Sequence, residues 1–67
     1  MRFVLSAGGR PNQCMNSLRK QSEIISNENH NAQKVVEQMV DAMDNHLANV
    51  PQDKMFSVSI SVYLTEI

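Results

Sequence analysis

Near its C-terminus the chain alternates apolar and hydroxyl side chains almost without fault. Phe56, Val58, Ile60, Val62 and Leu64 hold one parity, and Ser57, Ser59, Ser61, Tyr63 and Thr65 hold the other. Successive side chains of a β-strand point to opposite faces, so the pattern predicts a strand over about residues 55–66 with one buried and one solvated face. A single strand leaves its own backbone unpaired. The chain offers one other candidate, about residues 2–6, where Phe3-Val4-Leu5 is stopped by Ala7-Gly8-Gly9. The glycine pair permits a sharp change of direction, and Pro11 turns Arg10 away from helical dihedrals, so residues 7–12 are expected to form a loop.

Between Pro11 and Pro51 there is neither glycine nor proline. Met15, Leu18, Ser22, Ile25, Asn29, Ala32, Val36, Met39, Met43, His46 and Val50 recur at alternating steps of three and four, a heptad-like seam with polar interruptions. Val35, Val40, Ala42 and Leu47 widen the stripe in the second half. Two arrangements satisfy this segment. One is a continuous helix from about residue 12 to residue 49, about 55 Å long. The other is a pair of helices, about 13–26 and 32–49, broken in Ser26-Asn27-Glu28-Asn29-His30-Asn31. That stretch has no apolar residue, and its side chains favour caps and turns. The break is the preferred reading, with Asn29 or Asn31 capping the second helix. Pro51 then ends the helical segment. The fold class is α+β: a short N-terminal strand, one long or two consecutive helices, and an amphipathic C-terminal strand. One intervening helix would favour parallel strands, whereas two leave the direction open.

Sixty-seven residues make one small domain, residues 1–67, of a size that usually needs reinforcement. Cys14 is the only cysteine, which excludes a disulfide within the chain. Cys14, His30 and His46 lack ligand-like spacing, so no metal or other cofactor is expected. Oligomerisation is what remains, with the sheet completed by another copy of the chain or by a partner. The expected interface is Leu18, Ile25, Val36, Met39 and Met43 from the helices, with Phe56, Val58, Ile60 and Val62 from the final strand. The lone cysteine and the missing signal-peptide pattern point to a reducing, cytoplasmic setting, and no segment has the length of a membrane span.

The net charge of −1 hides a polarity. Arg2, Arg10, Arg19 and Lys20 are the only charges through residue 20, and the remainder is acidic. Gly8, Gly9 and Arg10 precede a helix start, where backbone N–H groups and a guanidinium can face an anion; Arg19 and Lys20 could extend that basic patch. Neither the Walker nor the dinucleotide glycine spacing is present. Glu37, Asp41 and Asp44 share a helix face and read as a solvated surface, while Cys14 beside Met15 reads as a packing residue.

No constellation names a reaction. The chain reads as a small non-enzymatic, homo-oligomeric interaction protein that binds and modulates or inhibits a macromolecule, of the kind found among phage and mobile-element accessory proteins. An open strand edge would supply its docking mode. One alternative is a DNA-binding regulator with a ribbon-helix-helix layout, reading bases through Arg2, Val4 and Ser6. Another is a sequestrant of a small anionic ligand such as a nucleotide.

Overall fold

The computed structural model describes residues 1–65. Its elements are β1 (Arg2–Gly9), α1 (Pro11–Glu28), α2 (His30–Leu47) and β2 (Phe56–Tyr63). The two strands form one antiparallel sheet, from Arg2 opposite Tyr63 to Gly9 opposite Phe56. The Met1 amino group and the Leu64 N–H each donate to the other residue's carbonyl, at 2.9 and 2.8 Å, and carry the ladder one pair further. Element lengths explain the direction. Each 18-residue helix rises about 27 Å, which is also the length of an eight-residue strand. One helix would return the chain to the start of β1 and make β2 parallel. The second helix carries it back to Gly9, so β2 runs antiparallel.

The helical segment is broken, and the break is a single residue. Asn29 is extended (φ −145°, ψ 104°), and its Oδ1 accepts from the N–H groups of Asn31 and Ala32 at 3.0 and 3.3 Å. Its own N–H closes α1 on the Ile25 carbonyl at 2.9 Å. One N-cap satisfies the orphan donors of the new helix, so both helices run into the polar stretch expected to separate them. The second helix ends at Leu47 rather than residue 49.

The loop expected at residues 7–12 is corrected to one residue, Arg10. Ala7, Gly8 and Gly9 belong to β1 and pair with Val58, Ser57 and Phe56. Pro11 opens α1, where a missing N–H costs nothing. Gly9 makes the tight corner possible. Its φ is 122°, and a Cβ there would lie 2.6 Å from Gln13 Oε1, which accepts the Arg10 N–H at 2.9 Å. The final strand ends at Tyr63 rather than continuing through 65; position 66 of the expected range lies outside the described residues.

Phe3, Leu5 and Ala7 face the helices together with Phe56, Val58, Ile60 and Val62. Leu5, Cys14, Leu18 and Val36 are wholly buried, and Met15, Ala32, Val40, Leu47, Ile60 and Val62 complete the core. Beyond the break the expected seam holds at Ala32, Val36 and Met43 and slips at Met39 and His46. In α2 the buried stripe is Ala32, Val36, Val40 and Leu47, with Met43 packed against it; Met39 is 42% exposed and His46 is exposed. Alternating steps of three and four average 3.5 residues and fall behind a straight helix of 3.6 per turn, so Val40 and Leu47 take the buried places expected of Met39 and His46.

The reason given for oligomerisation is corrected too. Leu18, Val36, Ile60 and Val62, expected at an interface between copies, are buried in the chain's own core, and Ile25, Met43, Phe56 and Val58 pack partly buried against it. The helical hairpin covers the apolar face of the C-terminal strand. The sheet itself is still open, and a strand from another chain could complete it.

Candidate functional site

In an antiparallel pair, residues alternate between exchanging hydrogen bonds and turning both backbone groups outward. Met1 and Leu64 exchange theirs, so Phe3–Val62, Leu5–Ile60, Ala7–Val58 and Gly9–Phe56 do as well. The N–H and C=O groups of Arg2, Val4, Ser6 and Gly8 therefore line the outer edge of β1. Those of Ser57, Ser59, Ser61 and Tyr63 line the outer edge of β2.

The two edges are treated differently. On β1, the Gln21 amide from α1 acts as a one-residue strand: Oε1 accepts the Ser6 N–H at 3.1 Å, and Nε2 donates to the Ser6 carbonyl at 2.7 Å. A further bond from Nε2 to Ser17 Oγ at 3.1 Å holds the amide in place. On β2, no bond to Ser57, Ser59, Ser61 or Tyr63 covers the edge among the described residues. The segment Phe56–Tyr63 also has neither charge nor proline, the residues that ordinarily guard an edge.

Of the two helices, α2 approaches β2 and not β1, while α1 lies along β1 and reaches β2 as well. Arg19 of α1 pairs with Asp41 at 3.3 Å and Asp44 at 2.8 Å, which places that flank of α2 on the α1 side. The opposite flank of the buried stripe, Val35, Met39, Ala42 and His46, thus points away from α1 and out over β2. Val35 and Met39 are 37% and 42% exposed, and Phe56, Val58 and Leu64 below are only half-buried. The outward backbone groups of β2 thus lie beside a helix flank on which Val35, Met39 and Ala42 are apolar and His46 is polar.

The expected anion site does not assemble. Gly8 and Gly9 are paired in the sheet, and Arg10 stands at the start of α1. Arg19 lies about 13 Å further along the helix, committed to two carboxylates. Lys20 is exposed beside it. A polar groove of about 380 Å³ between the helices is lined by Arg19, Ser22, Ser26, Gln33, Glu37 and Asp41, and Arg19 is its only lining cation. The buried Ser26 hydroxyl on its wall has no partner among the described residues.

The carboxylate row is solvated, as expected of it, and also takes part in ion pairing and hydrogen bonding. Asp41 and Asp44 lock the hairpin through Arg19, and Glu37 accepts from Gln33 at 3.3 Å. Among the described residues no group of His, Cys, Asp and Glu is placed to hold a metal ion. Cys14 is wholly buried, and its thiol donates to the Gly9 carbonyl at 3.4 Å. The ribbon-helix-helix layout needs β1 to pair with its counterpart in a second copy. Here β1 is paired along its length with β2, and Gln21 occupies part of its other edge.

Gln21, Ser57, Ser59, Ser61 and Val35 are the site residues that sequence reading did not single out. Alternation marked the serines as solvated, but which backbone groups face outward depends on the register with β1. No helix among the described residues is long and apolar enough to cross a membrane. Compared with protein-family models, curated proteins and solved structures, the chain matches none of them.

Proposed function

We propose that this chain is a non-enzymatic interaction protein that binds a macromolecular partner by accepting a strand along β2, and modulates that partner by occupying the segment it captures. One observation carries the reading. Of two equivalent sheet edges, β1 has Gln21 bonded to its backbone at Ser6, and β2 is left unpaired and uncharged beside a largely apolar helix flank. Main-chain groups on such an edge supply affinity, and alternate side-chain positions supply selectivity.

The test is affinity capture from the native host with the wild-type chain and with Ser59→Pro. Proline at an outward-facing edge position removes one docking N–H and leaves the ladder to β1 intact. A partner held by the wild type and released by Ser59→Pro supports the reading. Identical capture by both chains would move the binding surface elsewhere.

A further inference from the structure

The roof of this fold is wider than its floor. Two packed helices stand about 8–10 Å apart and together span about 20 Å, the width of roughly four strands at 4.8 Å spacing. This chain provides two. On the β1 side, α1 comes down onto the edge through Gln21. On the β2 side no side chain bonds the edge among the described residues.

Building on the strand-addition reading, we infer that the occupant of this edge is a bare extended segment of a partner protein, one that brings no helices of its own, with apolar side chains at alternate positions and no charge between them. The apolar set would sit under Val35 and Met39, continuous with Phe56, Val58 and Ile60. The other set would join the open row of Ser57, Ser59 and Ser61. Neither Phe56–Tyr63 nor Val35, Met39 and Ala42 carries a charge, which favours a segment without charges along most of the edge; at its far end Arg2 lies 5.8 Å over the Tyr63 ring.

A second folded copy does not fit. Antiparallel pairing of two β2 edges places both hairpins on the same face, where four helices would need about 40 Å above four strands about 15–20 Å wide. Parallel pairing turns the hairpins to opposite faces and sets each apolar flank over the other copy's serine row. A segment matching the whole edge is about 27 Å long and covers on the order of 400 Å² of each partner, the scale of a transient contact.

The probe is a capped peptide of residues Phe56–Tyr63, which has the required alternation and no helices. It is titrated into the full-length chain while amide exchange is followed residue by residue, and the mass of the chain alone is measured by light scattering. The expected result is a monomeric chain in which the peptide slows exchange at Ser57, Ser59, Ser61 and Tyr63 by about tenfold or more. The amides of Leu5 and Ile60, already in the ladder, should be unaffected. Met39→Glu, a change at an exposed position, should weaken the peptide by about tenfold. A chain that dimerises, and becomes monomeric on Ser59→Pro, would overturn the bare-segment inference while leaving strand addition standing. A monomeric chain whose edge amides ignore the peptide would overturn both.

Discussion

Gln21 bonds both backbone groups of Ser6, donating to its carbonyl and accepting its N–H, and so stands in for a third strand at that point of the sheet. Only one amide is involved, yet it lies near the middle of β1, where a docking strand would otherwise begin to pair. Gln21→Ala is expected to cost about 1 kcal/mol or less, because the lost bonds are exposed and water replaces them. The larger effect should appear in exchange, with the Ser6 amide losing its protection. Unchanged exchange at Ser6 would mean that the clamp does not form in solution.

Arg19 ties the two helices together through Asp41 and Asp44. Its side chain and that of Asp44 are 50% and 51% exposed, so water screens the pair and a coupling of about 0.5–1 kcal/mol is expected. A double-mutant cycle of Arg19→Ala and Asp44→Ala measures it, and added salt should reduce it. If this pair helps to orient α2, Arg19→Ala should broaden the signals of Val35 and Met39. A coupling near zero, with those signals unchanged, would show that core packing alone orients the helix.

Asn29 separates α1 from α2 by its side chain as much as by its backbone. Asn29→Ala removes the acceptor for Asn31 and Ala32 N–H and should destabilise the fold by about 1 kcal/mol; Asn29→Asp should retain most of the stability. Thermal or urea unfolding distinguishes them. Equal stability of all three chains would place the helix boundary under other control.

Much of this architecture was legible in the residues. The alternation from Phe56 onward marked the strand and its buried parity, and the polar run around Asn29 marked the break. Three features were not legible, each for a physical reason. Gly8 and Gly9 look like a loop because glycine suits turns, but strand pairing with Ser57 and Phe56 overrides that preference. Met39 and His46 look internal because a heptad-like repeat averages 3.5 residues, whereas a straight helix has 3.6 per turn and buries Val40 and Leu47 instead. The edge site was hidden because backbone orientation on β2 depends on register with a strand more than fifty residues away, and Gln21 has no local signature. The need for a second copy was inferred from the strand's apolar face without knowing that a hairpin of matching length would fold over it.

Gly9 offers the sharpest test of the corner joining β1 to α1. Its φ of 122° lies where side chains are strained, and an added Cβ would meet Gln13 Oε1 at 2.6 Å and Gln13 Cβ at 3.3 Å. Gln13 can swing away, but only by releasing the Arg10 N–H that it caps. Gly9→Ala should therefore cost about 1–3 kcal/mol from backbone strain together with part of a cap. Gly8→Ala provides the contrast, because the nearest atom to its added Cβ is the Phe56 carbonyl oxygen at 3.8 Å, an ordinary contact. Paired unfolding curves should show a clear loss for Gly9→Ala and little for Gly8→Ala. If the two losses were equal, the corner would not require a left-handed residue, and the one-residue connection at Arg10 would have to be redrawn.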